Sequence, residues 1–293
     1  MLGLSPEGQD GCPLPPAVHL LKALVQLGPG CFEHARAHAV ANLCDVGFKA
    51  FHDRTHEFLG LEIRLEIASL GSALRVQFRI DGGRNHLEDL DPEFHVRTCD
   101  VAKEADCKSL AEWTGASFKD LNILINNAGV QRDIDFTKGA DAFLAGESEV
   151  RINLEAPIML SGLFVPQLIG KNQPAIINVS SGLGFVPAAR MPVYSATKAG
   201  LHAFSMALRH QLSKLGIKVF EVVPPAVDTE LNPEGRAQRG NFKADLKPEE
   251  FVGAVMKGLE DDVAEIGYGM SAGMLKASRA ELDKSFQQMN SRW

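Results

Sequence analysis

Tyr194 and Lys198 stand four residues apart in a stretch that reads as helix after Pro192, so a phenol and an ammonium share one helical face, one turn apart. The pairing has a chemical use. A tyrosine near its ordinary pKa of about 10 is a poor base at neutral pH, and an adjacent cation favours the phenolate. Ser181 lies thirteen residues before the tyrosine, where the β-branched run 175–179 reads as a buried strand that empties into Ser180, Ser181 and Gly182. A hydroxyl offered there, beside a phenol and an ammonium, describes proton transfer at a carbonyl or alcohol. Alone, a Tyr-x-x-x-Lys pair is commonplace in helices and a serine after a strand is an ordinary turn residue. The surrounding residues decide between the two.

Such a site needs strands whose C-terminal ends share one edge of a sheet. The spacing of Leu59, Ile63, Ile67 and Leu70 predicts a helix over 58–74, and residues 75–80 alternate as a strand that ends in Asp81-Gly82-Gly83-Arg84-Asn85. Arg84 there suits an adenosine ribose or its 2′-phosphate, because a guanidinium grips phosphate in bidentate fashion; the plain alternative is a turn. Residues 95–98 form a further strand, followed by Cys99-Asp100-Val101. Asp100 would accept from an adenine amino group, cap a helix beginning at Ala102, or do both. A buried strand at 121–125 closes in Asn126-Asn127-Ala128-Gly129, small and amide residues that let a ligand approach the backbone. A long helix over 139–169 carries Asn153, which needs partners if buried. The Tyr-Lys helix runs to Lys214, Gly216 ends it, and a strand at 217–223 exits through Pro224-Pro225-Ala226-Val227-Asp228-Thr229. The polar stretch 230–247 reads as a lid, with a plain surface loop as the alternative. A helix over 248–259, a short strand over 265–268 and a terminal helix over 277–290 complete the chain. The alternation predicts an α/β fold with a doubly wound parallel sheet in one domain, 58–293, preceded by an atypical segment, 1–57.

The 293 residues suffice for a sizeable core, and a formal charge of −7 with no Lys/Arg cluster excludes a nucleic-acid surface. No apolar run reaches the ~18 residues of a membrane helix, and no signal peptide opens the chain, so the expected location is the cytoplasm. Five cysteines without zinc-finger spacing fit free thiols in a packing role. His34 and His38 have metal-ligand spacing near Cys31, but no third partner follows and no metal is expected.

Asn126-Asn127-Ala128-Gly129, Asn153, Ser181, Tyr194-Ser195-Ala196-Thr197-Lys198 and the 224–229 exit resemble, in order and spacing, the classical short-chain dehydrogenase/reductase family over roughly residues 75–293. The wording of 180–229 and the Met289-Asn290-x-x-Trp293 ending is most similar to a DltE-like subgroup. The resemblance implies hydride transfer between a nicotinamide and an alcohol/carbonyl pair. It makes Tyr194 the general acid/base, Lys198 the holder of the nicotinamide ribose, Ser181 the orienter of the substrate oxygen and Asn153 the seat of a relay water. Asn127, Ala128 and Gly129 would line the cofactor, Asp100 and Val101 the adenine, and Val227 and Thr229 the carboxamide and phosphates. Arg84 leans the cofactor toward NADP, with Asp81 as the argument for NAD. A small-molecule alcohol or carbonyl substrate and a homodimer or homotetramer are implied. Leu160, Leu163, Phe164, Leu201, Phe204 and Leu208 are the expected contact faces, unless they cover the sheet.

The front of the chain departs from the family. A Thr-Gly-x-x-x-Gly-x-Gly loop should follow the first strand, since its glycines bring pyrophosphate to backbone amides at a helix N-terminus. The corresponding stretch, 56–62, contains Gly60 alone, with Phe58, Leu59 and Glu62 in obstructing positions. The first strand and glycine-rich loop are therefore degenerate or missing. A misread or frame-shifted gene start would explain this. It would also explain why five of nine histidines and three of five cysteines precede residue 57. The rival explanation is a binding scaffold that has lost its cofactor loop.

Overall fold

The structure, a computed structural model, describes residues 67–70, 73–76, 97–227, 231, 235 and 246–291. Segment 1–57, Gly60, Arg84 with its two glycines, Thr229 and most of the 230–247 stretch lie outside the described residues.

Three short strands, β1 (Ile67–Leu70), β2 (Ala73–Val76) and β3 (Arg97–Thr98), form an antiparallel sheet. This corrects the helical reading at 67–70 and 73–74. The pairing of Ile67 with Val76 and of Leu70 with Ala73 makes a hairpin. Cross-strand pairing has overridden an apolar spacing that suited either element.

The larger sheet is parallel, with four strands in chain order: β4 (Ile123–Asn126), β5 (Ala175–Val179), β6 (Lys218–Val223) and β7 (Glu265–Gly267). Each is short and begins after a helix, as parallel pairing requires, and β4, β5 and β6 carry the β-branched residues of a buried sheet. Helix α1 (Glu104–Ser117) precedes β4; α2 (Asp141–Leu144) and α3 (Ala156–Leu168) lie between β4 and β5. Helix α4 (Pro192–Leu212) joins β5 to β6 and α5 (Pro248–Glu260) joins β6 to β7; α6 (Met270–Met274) and α7 (Arg279–Asn290) end the chain. Alternation along the strands splits the core in two. Leu124, Ile176 and Val219 pack with Leu110, Leu160, Phe164, Leu208 and Leu212 from α1, α3 and α4. Ile123, Ile177, Phe220 and Val222 pack with Phe251, Val255 and Leu259 of α5. Each such side chain contributes about 1.5–3 kcal/mol when fully buried, so helices cover both faces and one edge of strand ends is left for a site.

The long helix expected over 139–169 is broken. Gly139 and Gly146 adopt φ of 85° and 90°, angles an L side chain resists, and between them lies only the four-residue α2. Helix resumes after Ser148 and passes through a π-helical turn, Arg151–Glu155, into α3. Four of the six residues expected at a subunit contact, Leu160, Phe164, Leu201 and Leu208, are buried inside the chain. They cover the sheet. Ile158, Ile169 and Met206 are the exposed apolar residues of α3, its end and α4. Among the described residues no helix is long and apolar enough to cross a membrane.

Candidate active site

Helix α4 has proline at its start, where the absent N–H costs nothing, and this places Tyr194 and Lys198 in the first two turns. Both side chains are buried, at 5% and 3% exposure. The ammonium donates to the Val179 carbonyl at the end of β5, 2.7 Å away, and lies 5.7 Å from the Tyr194 ring centre. The Ser181 hydroxyl is close enough to the phenol to act on its ionisation. Ser181 is itself fixed by accepting from Leu183 N–H at 3.1 Å, at the head of the 3-10 turn Gly182–Gly184.

Burial dominates the ionisation of both groups. It pushes the Tyr194 hydroxyl up to about 12, against the pull of the Ser181 hydroxyl and with a further push from Glu149. The phenol therefore stands above its ordinary value, not below it as the neighbouring ammonium alone would dictate. Burial lowers Lys198 to about 8, opposed by the Glu221 carboxylate.

Asn153 sits in the π-helical turn, fully buried, and π turns recur at functional sites. Its carbonyl oxygen accepts from Val130 N–H at 2.8 Å, and its amide donates to Val130 O at 2.8 Å and to the Thr197 hydroxyl at 3.2 Å. It thus ties the loop after β4 to α4. Gly129 is in that loop. A Cβ built there would lie 3.4 Å from the Asn153 side-chain oxygen and 3.5 Å from Lys198 Nζ. Tyr194, Lys198, Ser181, Asn153 and Gly129 are therefore brought to one place, outside the C-terminal ends of β4 and β5. Of the ammonium's three donors one goes to Val179, leaving two without a partner among the described residues. That donor set, beside a wall kept free of side chain at Gly129, fits the vicinal hydroxyls of a ribose.

The other expected residues divide. Asn127 follows β4 in the same loop, and Ala128 is buried there at 4% exposure. Val101 packs into the core with Cys99 and Ala128. The Asp100 carboxylate accepts from Ala102 N–H at 3.0 Å and pairs with Lys103 at 3.1 Å, while the helix starts later, at Glu104. Asp100 closes a turn instead of capping the helix. Val227 is half-buried beyond the end of β6.

Three features escaped the sequence reading. Glu149, 1% exposed, accepts from Arg132 N–H at 3.0 Å through one oxygen, and its other oxygen has no partner among the described residues. Burial raises its carboxyl to about 7. Next, a polar row crosses the parallel sheet in register: Asn126 pairs with Asn178, Asn178 with Glu221, and Glu221 with Glu265. Asn126 donates to Asn178 at 2.8 Å. Helix α4 matches the row with a stripe at helical spacing: Ser205 accepts from Asn178 at 2.9 Å, His202 meets Glu221 at 2.7 Å and Arg209 meets Glu265 at 3.1 Å. A glutamate interrupting Val-Phe-Glu-Val-Val was the readable signal. His202, Glu221 and Glu265 have atoms within 4.8 Å of one another, but these carboxylates already have protein partners. Last, Asn290 of α7 clamps the loop ahead of Tyr194, accepting from Ala189 N–H at 2.6 Å and donating to Pro187 O at 3.0 Å.

The family model described as short chain dehydrogenase matches residues 59–240. The chain is 39% identical over 232 residues to the uncharacterized oxidoreductase DltE of Bacillus subtilis, covering 79% of this chain and 92% of that one. It superposes with a TM-score of 0.53 and 28% identity on the crystal structure of a Burkholderia cenocepacia short chain dehydrogenase in complex with NADP, covering 64% of this chain and 76% of that chain. A Burkholderia phymatum short chain dehydrogenase/reductase in complex with NAD shares the fold, with a TM-score of 0.55 at 17% identity over 64% of this chain and 75% of that chain.

Proposed function

The chain belongs to the short-chain dehydrogenase family of oxidoreductases, and we propose that it interconverts an alcohol and a carbonyl with Tyr194, Lys198, Ser181 and Asn153 as its working residues. The observation that carries this reading is the buried Tyr194 phenol one helical turn from a buried ammonium, with Lys198 Nζ 5.7 Å from the ring centre and 2.7 Å from the Val179 carbonyl at the end of β5. A nicotinamide dinucleotide, bound along Asn127, Ala128 and Gly129 and through its ribose to Lys198 and Tyr194, supplies or accepts the hydride. Asp100, Val101, Val227, Thr229 and Arg84 are the further proposed contacts. NADP is the preferred form, supported by Arg84 and by the NADP complex of the relative at 28% identity; NAD is the alternative.

The chain's own part is acid/base chemistry and order. With its pKa raised to about 12, Tyr194 carries its proton at neutral pH and is set to donate it to a carbonyl oxygen that Ser181 orients. Lys198 steadies the phenolate left behind. Both donors of the Asn153 amide are already taken by Val130 and Thr197, so Asn153 acts by holding the Gly129 loop against α4.

The test is a titration of the purified chain with NADPH and with NADH, followed by nicotinamide fluorescence. Saturable binding of either supports the reading. Absence of binding to both would sink it and favour the scaffold reading, which rests on Gly60 standing alone where a glycine loop belongs.

A further inference from the structure

We propose that Asn290 of α7 is a positioning residue of this site: its amide fixes the segment 182–191, which joins Ser181 to the helix that carries Tyr194. The proposal rests on the reading of Ser181 and Tyr194 as the working hydroxyl and phenol.

Ser181 follows β5 and Tyr194 lies in the first turn of α4, so the path of the chain between them sets where each points. The start of that path is held locally. Gly184 N–H donates to Ser181 O at 2.9 Å and Val186 N–H to Gly182 O at 3.0 Å. Beyond Val186 the segment leaves regular structure, and Pro187 has no N–H to offer. Its remaining backbone groups need partners from elsewhere. Asn290 supplies them from far along the chain. Its side-chain oxygen accepts from Ala189 N–H at 2.6 Å, and its nitrogen donates to Pro187 O at 3.0 Å and to Phe286 O of its own helix at 2.9 Å. A side-chain amide is a tethered peptide group, so it takes a C=O and an N–H on either side of one residue as a neighbouring strand would. The residue between them, Ala188, turns its own groups the other way. Its N–H donates to Ser195 Oγ at 3.2 Å and its carbonyl accepts from Met191 N–H at 3.0 Å. Ser195 is the neighbour of Tyr194, so the segment is pinned between Asn290 and the start of α4.

The elements after β6 grip the same segment at a second point. Ser271 of α6 donates to Val223 O at the end of β6, 2.6 Å away. Met274, also of α6, lies against Gly182, where a Cβ would come 3.2 Å from its sulfur. A capping box of Ser278 and Glu281 fixes the start of α7, the helix that presents Asn290. The asparagine of the Met289-Asn290-x-x-Trp293 ending thereby gains a task that the acid/base chemistry leaves unassigned.

The experiment uses the full chain with carbon-13 at tyrosine Cζ. The chain has two tyrosines, so the resonance lost in Tyr194→Phe belongs to Tyr194. Tyr268, whose phenol binds Glu250, is the internal reference. Asn290→Ala is expected to move or split the Tyr194 resonance and to leave that of Tyr268 in place. Amide hydrogen exchange in the same variant should rise at least about tenfold at Ala189, with β5 and α3 within about twofold of the parent. An unchanged Tyr194 resonance, or an equal rise throughout the chain, would overturn the proposal. Asn290→Asp keeps the acceptor for Ala189 N–H but loses the donor to Pro187 O, so its local rise should be smaller, about threefold. It decides the matter if the alanine variant does not fold: a local rise with a moved Tyr194 resonance supports the proposal, and parent-like behaviour overturns it. Neither readout needs substrate or nicotinamide, so a chain that responds as expected yet binds no nicotinamide would sink the functional reading alone.

Discussion

A phenol near 12 beside an amine near 8 sets distinct expectations for each side chain. Tyr194→Phe should lower kcat by about a thousandfold or more while leaving nicotinamide affinity within about twofold, because the proton donor is lost whereas Lys198 and the Asn127–Gly129 loop still hold the ribose and cofactor. Lys198→Ala should damage both kcat and affinity; steady-state kinetics with fluorescence titration separates the two. Carbonyl reduction should also fall off above about pH 8, where Lys198 loses its charge, as a pH profile of kcat/KM would read. Glu149 carries a prediction for stability. Its carboxyl is raised from an ordinary 4.5 to about 7 in the folded chain, so its contribution is fully present below pH 4.5 and is lost as pH rises through 7. The loss amounts to about 3 kcal/mol at most. Glu149→Gln, which cannot ionise, should gain stability relative to the parent between pH 5 and pH 8. Equal differences in melting temperature at the two pH values would refute it.

At the scale of elements, the site depends on how closely the turn after Ser181 packs on α4. A Cβ at Gly184 would lie 2.9 Å from the Lys198 carbonyl carbon and 3.0 Å from Ala199 N, both backbone atoms that cannot swing away. Gly184→Ala should therefore cost about 1–3 kcal/mol and lower activity by more than the loss of folded chain explains; melting curves beside initial rates would reveal the difference. The elements that frame the site were legible from local pattern: the β5 run of β-branched residues, the proline that opens α4 and the left-handed Gly216 that closes the turn after it. Local pattern also placed Tyr194 and Lys198 on one face of α4, which the structure shows; the chemistry proposed for them with Ser181 and Asn153 awaits the tests above. The hairpin of β1 and β2 was not, because Ile67 and Leu70 satisfy a helical spacing and only pairing with 73–76 decides otherwise. Glu149, Glu221 and His202 were missed because their meaning is tertiary. A lone charge reads as a solvated surface residue until its partners on other elements are known.

For the whole molecule, cofactor binding should register as global stability. At a nicotinamide concentration of 100 Kd, binding to the folded chain alone adds about 2.7 kcal/mol, which for a chain of this size raises Tm by about 4 °C. NADPH should give the larger rise at equal concentration, and no rise with either nucleotide would argue against the proposed activity. The polar row from Asn126 to Glu265 reaches beyond the chemistry above it. Strands made wholly of Ile and Val could settle into several pairings of similar energy, since a slip of one residue exchanges one apolar face for the other. Here the slip is forbidden. Moved by one position, β6 would thrust Glu221 among Phe251, Val255 and Leu259 with no donor in reach, at a cost of several kcal/mol. The row thus sets an energetic penalty on any misaligned pairing of β5, β6 and β7.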